Sequence, residues 1–263
     1  MDLGIAGKVA VVAAASEGLG RAVAEALAGE GVHLAICSRN RERIRGAARD
    51  LQGRFPVTVH PFVCDVSEAD DVERLRDDVL DVFGACHILF TNAGGPPPGG
   101  VDQFAAADFQ AALNLNLIST IHLVNAFLPG MRKQKWGRII ALASISVKQP
   151  LPDLALSNVS RVGVVAYMKG IAAAVAADRV TANTLAPGYF LTHRVKELLN
   201  TRAASKGISA EDALAGICRD IPAGRVGRPE ELGSLAAFLA SEQAAYINGV
   251  TLLIDGGMFR GLM

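Results

Sequence analysis

KVAVVAAASEGLG, residues 8–20, begins as an unbroken apolar run and passes through a turn that holds two glycines. The residues that follow, Leu19–Gly29 (LGRAVAEALAG), carry apolar side chains at helical spacing. A short apolar run bounded by turn residues reads as a buried strand, here Lys8–Ala15. Strand, glycine turn and helix in direct succession make a βα unit. In such a turn the backbone can approach a pyrophosphate, which sits on the free N–H groups and positive dipole of the helix N-terminus. An ordinary βα connection carries the same glycines, so the rest of the chain has to decide.

Outward from this unit, apolar runs and amphipathic segments alternate to the C-terminus. Strands are expected at Val32–Ser38, Val57–Cys64, His87–Thr91, Arg138–Ala143, Val180–Ala186 and Val250–Ile254. Between them lie expected helices at Arg41–Leu51, Ala69–Phe83, one long region Asp108–Gln134, and Leu156–Ala177. Strands this apolar are buried on both faces, and each crossover must return over the sheet. The expected fold is therefore α/β: a single Rossmann-type domain over residues 1–263, a doubly wound sheet of about seven mostly parallel strands flanked by helices. Pro96–Gly100 (PPPGG) reads as a stiff loop at the carboxyl edge of the sheet. The long connection Tyr189–Gly224 reads as a substrate lid.

Composition narrows the partners. The chain has 263 residues, 51% hydrophobic, with 26 basic against 26 acidic side chains. No net field draws nucleic acid or an anionic membrane. The N-terminal apolar run is too short to span a bilayer and lacks a basic start, so a cytoplasmic location is expected. Cys37, Cys64, Cys86 and Cys218 show no CxxC spacing and read as buried thiols; no metal site is expected. The five histidines show no HExxH spacing, and no GxSxG elbow is present. His33, His87 and His122 read as structural, whereas His193 could flank a site.

Several motifs, in order and over essentially the whole length, resemble the short-chain dehydrogenase/reductase family, in its 3-oxoacyl-(acyl-carrier-protein) reductase-like branch. The family's TGxxxGxG turn falls on Ala13, Ala14, Gly18 and Gly20, with Ala14 in place of a glycine. Its NAG is Asn92-Ala93-Gly94, its helix asparagine Asn116, and its N-x-x-x-P-G runs from Asn183 to Pro187-Gly188. The segment Ile221–Gly257 carries the family's C-terminal signature. The resemblance implies a dinucleotide site built from Ala14, Ser16, Gly18, Leu19, Gly20, Ser38, Arg39, Asp65, Val66, Asn92, Ala93, Gly94, Pro187, Gly188 and Thr192. At the end of the second strand an acid would bind the ribose of NAD, and a base the extra phosphate of NADP. Ser38-Arg39 stands there, so NADP(H) is favoured and NAD(H) remains open. Glu17 in the glycine turn opposes that preference unless it points away or pairs with Arg39.

The catalytic stretch is LASISVKQPLPDLALSNVSR, residues 142–161. The family has a serine here, then a tyrosine that exchanges the proton, then a lysine one helical turn later. Ser144 matches the serine; the tyrosine and lysine positions fall on Ser157 and Arg161, with the spacing on both sides intact. An alkyl hydroxyl is a far weaker acid than a phenol, and a guanidinium stays charged. Arg161 could hold ribose hydroxyls and stabilise an alkoxide. Three readings stay open: an oxidoreductase with another acid, Lys148 or Tyr189; a slow one served by Ser144, Asn116, Arg161, Ser157 and water; or a nucleotide-binding sensor or scaffold without redox activity. Lys148 also reads as a solvated loop cation and Tyr189 as a lid wall. The substrate expected on the first two readings is a small carbonyl or alcohol. Leu156–Ala177 carries few charges for its length, so a homotetramer, or at least a homodimer, is expected.

Overall fold

The computed structural model describes residues 2–262, without the side chains of Arg194, Arg202, Ser205 and Lys206. Seven strands lie in one sheet: β1 (Val9–Ala13), β2 (His33–Ser38), β3 (Val59–Val63), β4 (Ile88–Thr91), β5 (Gly137–Leu142), β6 (Val180–Pro187) and β7 (Thr251–Ile254). Their order is β3-β2-β1-β4-β5-β6-β7, and every neighbouring pair is parallel. The helices are α1 (Gly18–Gly29), α2 (Arg41–Arg54), α3 (Ala69–Phe83), α4 (Ala106–Leu113), α5 (Ser119–Lys133), α6 (Ala155–Val175), α7 (His193–Lys206), α8 (Ala210–Asp220) and α9 (Pro229–Ala240).

Strand alternation splits the core into two layers. Ala10 and Val12 join Leu34, Ile36, Phe90 and Ile140 beneath α1, α2 and α9. Val11 and Ala13 join Cys37, Leu89, Ile139 and Ala141 beneath α3, α5 and α6. Both faces of the sheet are thus covered, which is why central strands such as β1 and β4 lack polar alternation. Helices α1 and α9 meet at close range: a Cβ on Gly233 would lie 2.5 Å from the Ala22 carbonyl oxygen. Segments Ala106–Lys133 and Ala155–Asp178 are long and apolar enough to cross a membrane. Here each lays a buried face on the sheet, with Leu123, Val124, Phe127 and Met131 from one and Val164, Met168, Ala172 and Val175 from the other.

Most boundaries differ from the sequence reading by one to three residues, and two of the differences shape the site. The first strand stops at Ala13, because Ala14 takes a left-handed conformation (φ +50°) and starts the turn. The region expected as one helix over Asp108–Gln134 is α4 and α5 joined by a π-helical turn, Asn114–Ile118. The wide turn rotates Asn116 inward, where Nδ2 donates to the Ala112 carbonyl and to Ser160 Oγ, both at 3.2 Å. Its neighbour Leu117 fills the notch over Gly163, with Cδ2 2.8 Å from where a Cβ would stand. Such π-turns concentrate at functional sites.

Between β1 and β4 the strand order reverses, and ligands of open α/β sheets bind outside the carboxyl ends at that point. The loop expected at Pro96–Gly100 sits on this edge, tied to the start of α6 by Gly99 N–H donating to the Asp153 carbonyl at 2.7 Å. Over the same edge, α7 and α8 form a lid with its own small core of Tyr189, Leu199, Ala203, Ala213, Ile217 and Ile221.

Candidate active site

A cavity of about 630 Å³ runs along the carboxyl edge of the sheet under the lid. Of the predicted nucleotide residues, Ala14, Ser16, Gly18, Leu19, Ser38, Arg39, Asp65, Val66, Asn92, Ala93, Gly94, Pro187, Gly188 and Thr192 line it. Gly20 does not line the cavity, and its part is steric. A Cβ there would fall 2.4 Å from the Ala14 carbonyl oxygen, so only glycine lets α1 start this tightly against the turn. Gly18 is left-handed as well (φ +62°). The outcome is a narrow turn leading into a helix N-terminus, which fits a pyrophosphate.

At the end of β2 the charges are arranged in pairs. Arg39 Nη1 lies 3.7 Å from Asp65 Oδ2, and Arg43 Nη1 lies 3.3 Å from Glu17 Oε1. Glu17 is therefore neutralised by Arg43, not by Arg39. Arg43 also lines the cavity, with Asn40. Sequence reading missed it because a charged residue in the first turn of a charged helix looks like solvated surface. Asn40 caps that helix by accepting from Arg43 N–H at 2.9 Å, which fixes the turn from which Arg43 projects. Asp65 is held in turn by Ser67, whose N–H and hydroxyl both donate to Oδ1, at 3.0 and 2.6 Å. Cys64, on the same wall, is buried, and the neighbouring Cys37 and that burial both push its thiol up.

At the other end Ser144, Ser157 and Arg161 line the cavity together. Ser144 caps a short turn, Ile145–Val147, and its Oγ accepts from Ser146 N–H at 3.1 Å. That contact uses a lone pair and leaves the O–H to donate. Arg161 is buried one helical turn past Ser157, and its Nη1 donates to the carbonyls of Leu142 and Ala143 at 2.9 and 3.1 Å. The guanidinium thereby braces α6 against the strand end that carries Ser144. Asn116 stands behind this group, 4% exposed and outside the cavity wall, bonded to Ser160 on α6. Lys148 is exposed at the end of the Ile145–Val147 turn and is not on the cavity wall, so it is corrected as a proton-donor candidate. Tyr189, His193 and Glu197 are on the wall. His33 and His87 accept main-chain N–H groups of Thr58 and Val9, both at 3.1 Å, and so have the structural roles read for them.

The C-terminal signature and the P-G motif hold these walls in place. Asn183 donates to the Ile247 carbonyl at 2.8 Å and accepts from Val250 N–H at 3.2 Å, which pins the return to β7. Gly188 passes so close to Asp255 that a Cβ would lie 2.9 Å from that residue's own Cβ.

A doubly wound parallel sheet, a glycine turn at its switch point and a serine–arginine end on one cavity define a dinucleotide-binding α/β protein. The comparisons narrow the class. Residues 13–259 match the enoyl-(acyl carrier protein) reductase family. Dehydrogenase/reductase SDR family member 4 of Oryctolagus cuniculus is 33% identical, over 96% of this chain and 94% of that protein. The 3-oxoacyl-(acyl-carrier-protein) reductase FabG of Haemophilus influenzae is 31% identical, over 96% and 98%. The crystal structure of L-sorbose reductase from Gluconobacter frateurii, complexed with NADPH and L-sorbose, superimposes with a TM-score of 0.95 at 33% identity, covering all of both chains. The chain belongs to the short-chain dehydrogenase/reductase family.

Proposed function

We propose that the chain is an NADP(H)-dependent oxidoreductase that reduces a carbonyl on a small to medium apolar substrate, or oxidises the matching alcohol, without the family's tyrosine–lysine pair. One observation carries the reading: a single cavity has Arg39 and Arg43 at one end and Ser144, Ser157 and Arg161 at the other. NADPH in the L-sorbose reductase complex supports the choice of cofactor. The glycine turn and the helix N-terminus would hold the pyrophosphate, Arg39 and Arg43 the 2′-phosphate, and Thr192 the nicotinamide side. When bound, the cofactor supplies the hydride.

The chain's own residues do the rest. Ser144 donates a hydrogen bond to the carbonyl oxygen. The Arg161 cation, buried behind it, stabilises the negative charge that builds there, an effect strengthened by the low dielectric of the site. On this reading Ser157 is a space-making residue: it removes an aromatic ring from the cavity wall.

Titration with NADPH and NADH, then cofactor consumption with L-sorbose, ethyl acetoacetate and an acetoacetyl thioester, tests the proposal. Tighter NADPH binding and turnover of one substrate support it. Binding without turnover of any carbonyl or alcohol favours a nucleotide sensor instead. We also propose a homotetramer or homodimer, supported by Val159 and Val162, each about half exposed on α6, and a cytoplasmic location, supported by the free thiols of Cys37, Cys64, Cys86 and Cys218. A monomer by light scattering at micromolar concentration refutes that assembly.

A further inference from the structure

We propose that Tyr189 is the proton donor. The inference rests on the carbonyl-reductase reading above and adds the step that reading leaves without an acid. Among the groups on the cavity wall, Glu17, Arg39, Arg43 and Asp65 belong to the nucleotide end, and Cys64 lies beside them. Arg161 keeps its protons, and Ser144 and Ser157 are alkyl alcohols. The remaining candidates are Tyr189, His193 and Glu197.

Tyr189 is the one tyrosine of three that reaches the cavity. Tyr167 is on α6 near Asn125, and Tyr246 is fully exposed. Chemically it is the same group that Ser157 lacks, presented from the end of β6 instead of from α6. Its position is rigid. Gly188 N–H donates to the Ile254 carbonyl at 3.0 Å, and Gly227 N–H donates to the Tyr189 carbonyl at 2.8 Å. Leu191 N–H donates back to Gly227 at 2.9 Å, and the ring packs in the lid core, 9% exposed. A buried phenol on a pinned backbone meets the geometric demand on a general acid better than a solvent-exposed side chain does. By contrast, the side chains of His193 and Glu197, 3.5 Å apart, are 66% and 54% exposed.

A bound reduced nicotinamide would supply the hydride for the new C–H bond at the carbonyl carbon, as the C=O π pair moves to oxygen. The Tyr189 O–H breaks and its proton goes to that oxygen, giving the alcohol. Solvent, which reaches the cavity wall at the exposed His193 and Glu197, returns a proton to the phenolate. Arg161 supplies charge stabilisation and no proton.

Tyr189→Phe keeps the ring and its packing and removes only the hydroxyl. With the substrate that the wild type turns over, kcat should fall about 10²–10⁴-fold, while the NADPH Kd stays within twofold. A second readout is independent of turnover. With 3-fluorotyrosine at all three positions, the ¹⁹F resonance missing from the Tyr189→Phe protein identifies residue 189. That resonance should shift when ethyl acetoacetate is added, and the other two should not. A kcat within threefold of wild type, or an unmoved resonance, overturns the proposal, and loss of activity in His193→Gln would then point to the histidine. A wild type that binds NADPH but reduces no carbonyl overturns the reductase reading and this step with it. The two failures are therefore distinguishable.

Discussion

Ala14 provides the sharpest quantitative prediction. It sits in the left-handed region (φ +50°) at the tip of β1, in the turn that the nucleotide site is built on. For an L-residue with a Cβ that conformation costs about 1–2 kcal/mol, and glycine escapes it. Ala14→Gly relieves the strain but also frees the unfolded chain, which gives back about 0.4–1 kcal/mol. The net expectation is a gain of about 1 kcal/mol, or roughly 2–4 °C in Tm for a chain of this size. Differential scanning calorimetry of the cofactor-free protein measures it directly. Gly20→Ala is the control, because φ there is not positive and the cost is purely steric. Its Cβ would stand 2.4 Å from the Ala14 oxygen and 3.0 Å from the Ala13 oxygen. Forcing those atoms apart costs about 1–3 kcal/mol and should also weaken NADPH. An Ala14→Gly protein that melts at or below the wild-type temperature refutes the strain argument.

Two further perturbations follow from the charge pairs. Arg39→Ala removes a charge-assisted contact to a 2′-phosphate, of about 1.5–3 kcal/mol, so the NADPH Kd should rise about 10- to 100-fold while NADH is little changed. Glu17→Gln removes the carboxylate held by Arg43, so NADPH should bind several-fold tighter; fluorescence titration reads both, and equal effects on NADPH and NADH would contradict the assignment. Glu231 accepts from Arg225 at 2.6 and 2.9 Å and from Arg228 N–H at 2.7 Å, and its carboxyl is held down at about 2 from an ordinary 4.5, chiefly by Arg225. A depressed carboxyl stabilises the fold fully above pH 4.5 and loses that contribution as pH falls toward 2. The stability gap between wild type and Glu231→Gln in urea should therefore close between pH 4.5 and 2; a gap that stays constant refutes the ion-pair assignment.

What the sequence revealed depended on how local the signal was. The parallel sheet was legible because two-sided burial leaves apolar runs in its central strands, as in Val9–Ala13. The cavity wall was legible where backbone geometry demands a residue type, as at Gly18 and Gly188. The π-turn at Asn114–Ile118 was not, since no glycine or proline marks it; it exists because Asn116 and Leu117 find partners on α6, 44 to 46 residues away in sequence. Arg43 was hidden for a similar reason. Only folding brings the first turn of α2 to the glycine turn, 26 residues earlier. Lys148 had the opposite problem: its sequence distance from Ser144 suggested a role that its exposed side chain does not support.

On the proposed reading, the exchanges at residues 157 and 161 are one change, not two. A lysine in this family lowers the pKa of its tyrosine and passes protons. An arginine can do neither proton task, so a phenol at 157 would lose the partner that makes it useful. The arginine also has a structural duty at the end of β5: from a buried position its Nη1 donates to two consecutive carbonyls, those of Leu142 and Ala143, and the guanidinium stays charged at any working pH. A permanent cation next to the reacting oxygen favours the alkoxide and lowers the demand on the acid that finally protonates it. That acid can then stand farther away and on another element. The end of β6 is where the chain has a phenol, and Ser157 is small enough to leave the path to it open.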